Sequence, residues 1–186
     1  MGQQSVMIDM DDVMVRGGFL YLINEYLGTS YTEDDFNDFH MQNIIPDKQD
    51  FFKYFLTKNL YDYCEINEYA DVVIKELMDY YQVYIGTAYV FPEVLRESGI
   101  ILLHKYNFLL EKFPYLTPQN FVFLMDKSVL NCTIKIDDSI KNLSGTERKL
   151  LYTAYHNKNI EKKTLESQKI ERVDGWLDVR RLLLKK

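Results

Sequence analysis

The sequence predicts an α/β fold built on a mainly parallel sheet, and three observations carry that reading. Short apolar runs recur along the chain at Val6-Met7-Ile8, Val83-Tyr84-Ile85, Phe121-Val122-Phe123-Leu124 and Thr133-Ile134-Lys135-Ile136. Runs of that length, ended by acidic or turn residues, read as strands buried on both faces. Segments with apolar residues at helical spacing lie between them, and strands alternating with helices make a parallel sheet. Finally, four strands end in Asp9 and Asp11, Thr87, Lys127, and Asp137 with Asp138. In an open parallel sheet the carboxyl ends of the strands face one crevice, so these residues can converge although far apart in sequence.

In order, Val6-Met7-Ile8 forms the first strand; if it continues through Asp11, period-two alternation puts Asp9 and Asp11 on one side. Two carboxylates that close need a cation, a shared proton or solvent. Gly17-Gly18 reads as a helix-entry turn, followed by a short helix to Leu27 that Gly28 stops. Thr32 reads as an N-cap, with Glu33, Asp34 and Asp35 in the first turn where the helix dipole favours acids. Residues 48–61 predict an aromatic-rich helix, and Ile66, Tyr69, Ala70, Val73 and Leu77 set an amphipathic helix from Glu65 to about Tyr80. The second strand, 83–88, is followed by a helical region opening at Pro92 and a helix from about Gly99 to Phe113. Pro114 and Pro118 break that helix before the third strand. A fifth strand is expected over about 149–153, a charged loop over 157–172, and a closing amphipathic helix at Trp176, Val179 and Leu183. The helical stretch between about 15 and 62 has no strand partner and reads as an insertion over the sheet's edge.

At 186 residues the chain is long enough for one domain with a real core. Its 47% hydrophobic and 27% charged residues are ordinary for a globular protein, and it is rich in aromatics, with 15 Tyr and 11 Phe. The net charge of −6 argues against a nucleic-acid polymer as partner, which wants a basic face. No stretch approaches the roughly 18 consecutive apolar residues of a membrane helix, so no membrane partner is expected. The start lacks the pattern of a signal peptide and, with Val6, that of a myristoylation site. Cys64 and Cys132 are far apart and read as free thiols in a reducing cytoplasm.

The ordered set Asp-x-Asp, Thr after a strand, Lys, and a late Asp-Asp resembles the four motifs of haloacid dehalogenase-like phosphohydrolases. The likeness extends to the bacterial branch of the 5'(3')-deoxyribonucleotidase family. It is carried by DMDDVMV, VYIGTAYVFP, LLEKFPYLTPQNFVFLMDKSVLNCTIKIDDSIKNL, LLYTAYHN and ERVDGWLDV, in that order. The resemblance implies a three-layer Rossmann-like core, residues 1–14 and 63–186, with a small helical cap, 15–62, inserted after the first strand. It also implies a Mg²⁺-dependent phosphomonoesterase acting on nucleoside monophosphates. Asp9 would be the nucleophile that forms an aspartyl-phosphate, and Asp11 the general acid and base. Thr87, with the backbone N–H of Ala88, and Lys127 would hold the phosphate. Asp9, the Asp11 carbonyl, Asp138 and Asp137 would hold Mg²⁺, Asp138 directly and Asp137 as an orienting partner.

The resemblance further implies that cap side chains cover the base, with Tyr31, Phe51 and Phe52 put forward from a group that includes Tyr21, Phe36 and Phe55. Helix aromatics are more often core, and each motif residue taken alone has a bland reading as a strand-end cap, turn or surface group. His156 reads as a loop histidine hydrogen-bonded for structure, and His40 and His104 receive no role. The chain departs from the family pattern at Asp12, where glycine is usual. It departs again at Arg16-Gly17, where animal members carry an aromatic base contact, and at Met125-Asp126, where they carry arginine. A phosphatase of another small phosphate ester and a catalytically silent nucleotide-binding protein are the alternatives, and the protein is expected as a monomer or homodimer.

Overall fold

The computed structural model describes residues 3–184. In chain order the first half holds β1 (Ser5–Ile8), β2 (Val15–Arg16), α1 (Gly18–Leu27), α2 (Lys48–Phe55), β3 (Glu65–Ile66) and α3 (Ala70–Leu77). The second half holds β4 (Gln82–Thr87), α4 (Ser98–Lys112), β5 (Phe121–Phe123), β6 (Cys132–Asp137), β7 (Thr146–Tyr152), α5 (Lys162–Ser167), β8 (Ile170–Val173) and α6 (Trp176–Leu183). None of the described helices is long and apolar enough to cross a membrane.

Six strands form one sheet in the order β5-β4-β1-β6-β7-β8. Every pairing in it is parallel. The apolar β1 takes the middle because Val6, Met7 and Ile8 can all be buried there. Ile8 lies opposite Ile85 of β4 on one side and Ile136 of β6 on the other. The chain reverses its direction of travel across the sheet at β1, and that switch point is where a crevice opens beyond the strand ends. Both faces are covered: Leu150 of β7 belongs to the main core, whereas the next residue, Leu151, packs with Leu165 of α5 in a smaller cluster.

The stretch after β1 differs in detail from the sequence reading. β1 stops at Ile8, and residues 9–15 form a turn closed by bonds from Met14 N–H and Val15 N–H to the Met10 carbonyl. The helix expected from Glu65 is a short strand followed by α3, because Tyr69 adopts a left-handed backbone, φ 64°, and breaks the helical path. β3 pairs antiparallel with β2, so the chain leaves for the helical stretch and returns from it side by side. That stretch is therefore tied at its neck by a strand pair. Helix α2 ends at Phe55 rather than near 61, and Thr32 opens only a 3-10 turn, with Asp35 accepting its backbone N–H at 2.7 Å. Gly17 does form the expected entry turn, at φ 85°. Gly18 must stay small, since a Cβ there would lie 2.5 Å from both the Cys64 Sγ and the Leu60 carbonyl oxygen.

The expected loop at 157–172 contains α5 and the edge strand β8. α5 is short and buries a single side chain, Leu165, which leaves no helical period to see. β8 is held by pairing with β7 and by Arg148 gripping Glu171 at 2.7 Å, contacts that four residues cannot advertise. The helical stretch shares one continuous core with the sheet: Leu22, Ile23, Phe51 and Phe52 pack in the same cluster as Ile8, Ile85 and Ile136.

Candidate active site

Asp9 leaves β1 directly at the crevice, its backbone N–H bonded to the Ile136 carbonyl at 2.9 Å. Its carboxylate is buried, with Oδ1 accepting the Met10 N–H at 2.7 Å and Oδ2 paired with Lys127 Nζ at 2.5 Å. Burial raises its pKa to about 6, with the Asp137 and Asp11 charges adding and Lys127 opposing. Asp11, two residues on, is half-exposed and looks the other way, its Oδ1 accepting the Tyr61 hydroxyl at 2.9 Å and its Oδ2 pairing with Lys105 Nζ. The turn, rather than a continued strand, thus brings the pair to one crevice, and each carboxylate has its own lysine.

Lys127, just beyond β5, is buried and bridges Asp9 and Asp137, the second at 2.8 Å. Burial alone would lower its pKa, but the two carboxylates more than reverse that and keep it cationic. Thr87 ends β4 fully buried, and Lys105 Nζ donates to its hydroxyl at 2.5 Å. Half-buried Ala88 follows at the same strand end. Lys105 therefore joins Asp11 to Thr87 from inside α4. Sequence reading assigned it nothing, yet a signal exists: the buried positions of α4 are Ser98, Ile101, Lys105, Phe108 and Leu109. A lysine in the apolar stripe of a helix needs an anionic partner within the fold.

Asp137 and Asp138 close β6. Asp137 Oδ1 accepts the Ser139 N–H at 2.9 Å and the Asn142 side-chain amide at 3.0 Å, whereas Oδ2 faces Lys127 and makes no well-aligned hydrogen bond. Its pKa, like that of Asp9, is raised to about 6, chiefly by burial. Asp138 Oδ2 lies 2.6 Å from His156 Nε2, and Asn157 donates to the Asp138 carbonyl at 2.8 Å. The oxygens of Asp9, Asp137 and Asp138 lie within 4.8 Å of one another, a spacing suited to one cation. Three buried carboxylates with one buried oxygen short of a hydrogen bond fit a divalent, oxygen-seeking metal. Asp12 sits beside them at φ 58°, its carboxylate within 4.8 Å of Asp138 and His156 donor atoms. Burial, then the Asp138 charge, pushes its pKa well up. His156 is indeed hydrogen-bonded, but its partner is a candidate metal ligand.

The expected base contacts divide. Phe51 and Phe52 have no accessible surface to offer, at 0% and 1% exposure. They form a core cluster with Phe19, Phe55 and Phe91, so the structure corrects their assignment as substrate contacts: aromatic area is used to seal the helical stretch onto the sheet domain. Tyr31 remains exposed, its ring edge-on to Phe36. Next to it an open cleft of about 460 Å³ is lined by Arg16, Gly17, Tyr21, Thr32, Glu33 and Tyr63, among others, with Tyr21 stacked on Tyr63 at 4.3 Å. Arg16 and Gly17 of that wall follow Asp11 and Asp12 closely in the chain.

A family model described as "5' nucleotidase, deoxy (Pyrimidine), cytosolic type C protein" matches residues 3–186. The chain is 31% identical over 184 residues to a Staphylococcus epidermidis protein named "Putative 5'(3')-deoxyribonucleotidase", covering 97% of this chain and 96% of that one. It is 29% identical over 183 residues to the 5'(3')-deoxyribonucleotidase of Bacillus subtilis, covering 96% of this chain and 98% of that one. Among solved structures, one described as "a predicted phosphatase from Clostridium acetobutylicum" superposes with a TM-score of 0.58 at 12% identity, over 98% of each chain, and shares the fold.

Proposed function

We propose, because this chain belongs to the family described as 5' nucleotidase, deoxy (Pyrimidine), cytosolic type C, that it is a Mg²⁺-dependent 5'(3')-deoxyribonucleotidase acting through an aspartyl-phosphate on Asp9. Family membership makes it a phosphoric monoester hydrolase of nucleotides. The finer reading is carried by the way two lysines sort the two carboxylates. Asp9 is buried against Lys127, oriented for attack, and Asp11 is half-exposed against Lys105, free to exchange protons.

In the first step an Asp9 oxygen bonds to phosphorus while the ester P–O bond breaks, and Asp11 gives its proton to the departing nucleoside oxygen. In the second, Asp11 as carboxylate takes a proton from water, whose oxygen displaces Asp9 and releases inorganic phosphate. Lys127, the Thr87 hydroxyl, the Ala88 N–H and Lys105 stabilise the charge that builds on the phosphoryl oxygens. Bound Mg²⁺ supplies Lewis-acid neutralisation of phosphate and carboxylate charge, and Asp9, the Asp11 carbonyl and Asp138 would hold it. Asp137, oriented by two hydrogen bonds to its Oδ1 with Oδ2 left toward the crevice, is assigned as the orienting partner. Residues 15–62 serve as the cap, and Tyr31 with the Arg16–Tyr63 cleft offers the surface for base and sugar. Free thiols at Cys64 and Cys132 suit a reducing compartment, so we place the reaction in the cytoplasm.

Phosphate release from a panel of 5'- and 3'-nucleoside monophosphates and sugar phosphates tests this. Turnover of deoxyribonucleotides with Mg²⁺, none in EDTA, and none in Asp9→Asn is the expected result. Metal-independent turnover that survives Asp9→Asn would overturn the mechanism, and a sugar phosphate as best substrate would overturn the substrate class.

A further inference from the structure

We propose that Lys135 is a positioning residue for Lys127: its buried ammonium fixes the backbone from which Lys127 reaches Asp9 and the phosphate. The inference rests on the reading of Lys127 as a phosphate ligand. Lys135 lies in β6 with no exposed surface, and the mechanism gives it no part. Its neighbours Ile134 and Ile136 belong to the main core, so alternation along the strand turns Lys135 to the opposite face of the sheet. Leu143 and Leu151 belong to the smaller apolar cluster of that face, where an ammonium is costly unless its donors are met. Its acceptors are two backbone carbonyls, those of Lys127 at 3.0 Å and Ser144 at 2.6 Å.

Both acceptors lie where the chain is short of regular structure. β5 and β6 are separated in the sheet by β4 and β1, all parallel, so residues 124–131 must return across a face from the carboxyl end of one strand to the amino end of the other. Residues 138–145 do the same between β6 and β7. Such crossovers commonly take roughly a dozen or more residues and a helix. Here each holds only a 3-10 turn, Lys127–Val129 in the first and Ile140–Leu143 in the second. Lys135 ties one to the other from the sheet beneath. They also pack closely: at Gly145, φ 68°, a Cβ would lie 2.7 Å from the Asn131 Oδ1 and 3.4 Å from the Ser128 and Leu130 carbonyl oxygens.

This tie controls the reach of Lys127. Asp9 and Asp137 are held by the sheet, Asp9 through its N–H on the Ile136 carbonyl and Asp137 as the last residue of β6. Lys127 belongs to the crossover, and its ammonium must stand between the two carboxylates, at 2.5 and 2.8 Å. The bonds within its own turn, from the Leu130 N–H to the Lys127 carbonyl and from Ser128 to Asp126, are local and move with it. Lys135 instead joins the Lys127 carbonyl to a central strand. A misplacement of about 1 Å in a group that acts on the reacting atoms can cost about 10²-fold in rate, so a residue remote from the phosphate can govern turnover.

The test compares wild type, Lys135→Met, Lys127→Gln and the double variant. In amide hydrogen exchange without nucleotide, a peptide covering 124–131 should exchange at least about 10-fold faster in Lys135→Met, with β1 and β6 still protected. In release of labelled phosphate from a deoxyribonucleotide, sensitive enough for a slow Lys127→Gln background, Lys135→Met should lower kcat/KM by about 10–100-fold. In that background the same substitution should change kcat/KM by less than about 2-fold, because its effect passes through Lys127. Unchanged exchange over 124–131 overturns the proposal. So does an equal loss of kcat/KM with and without the Lys127 ammonium, the mark of a general structural role. Lys135→Gln, which keeps an amide donor, carries the same comparison where Lys135→Met does not fold. Wild type that turns over no nucleotide would overturn the nucleotidase reading, and the exchange comparison, which uses no substrate, would still decide on Lys135.

Discussion

Lys105 is the residue that most changes the chemistry of the site. A buried ammonium costs several kcal/mol unless it is paired, and here the carboxylate of Asp11 and the hydroxyl of Thr87 supply the partners. It therefore holds the proposed acid in register with the proposed phosphate ligand and adds positive charge where phosphate would sit. Lys105→Met should lower kcat with a deoxyribonucleotide by about 10²–10³-fold, the scale of losing one preorganised donor, in protein that still folds by circular dichroism. Activity near wild type would show that Lys105 only fills space. Thr87 and Asp137 end strands, Asp9 and Asp138 follow directly on strand ends, and Asp11 and Lys127 lie in the turns just beyond, so their meeting at one edge of the sheet was legible in the sequence. Lys105 and Tyr61 were not, because they reach the crevice from a helix and a 3-10 turn, at distances along the chain that no motif spacing encodes.

At the scale of elements, the helical stretch 15–62 is built less like a loose lid than like a second wall of the core. α1 and α2 meet through Phe19, Phe51 and Phe55, and Phe91, just after β4, completes the cluster. Removing an aromatic ring from such a site leaves a cavity the neighbours cannot fill. Phe51→Ala should therefore cost about 3–5 kcal/mol in urea denaturation, with KM for nucleotide unchanged. A large rise in KM at unchanged stability would return Phe51 to the substrate. The sequence showed that these aromatics exist and that they are helical; which face they present depends on Phe91 and the sheet, elements distant in sequence. The β2–β3 pair was invisible for a related reason, since Val15-Arg16 and Glu65-Ile66 have no strand pattern and gain their bonds only from each other.

For the molecule as a whole, the crevice concentrates charge at the centre of the fold, and that has a consequence for stability. Burial raises Asp9 and Asp137 to about 6 from an ordinary value of 3.8. Between about pH 4 and 6 the unfolded chain has lost protons that the folded protein keeps. The folded state binds more protons there, so stability falls as pH rises through that window and the loss is complete above it. At about 1.4 kcal/mol per pKa unit, the coupled pair gives an effect on the order of a few kcal/mol. Metal-stripped protein should melt at a higher temperature at pH 5 than at pH 7.5, and Asp9→Asn should flatten the difference. A melting temperature that rises with pH across this range would refute the assigned cause. Bound metal should reverse the trend, because a cation stabilises the ionised carboxylates.

What the sequence by itself determined is the framework: an α/β order of elements, a parallel sheet around Val6-Met7-Ile8, and the motif residues at the strand ends. Those follow from local patterns, since apolar runs, helical spacing and residue type are properties of neighbours along the chain. Tertiary structure alone decided how the carboxylates are used. The turn after Ile8 sends Asp9 toward Lys127 and Asp11 toward Lys105, and Asp12 comes to rest against Asp138 and His156. Partners in these contacts are separated by up to more than a hundred residues, and burial sets their charge. Both depend on where the sheet brings distant segments together.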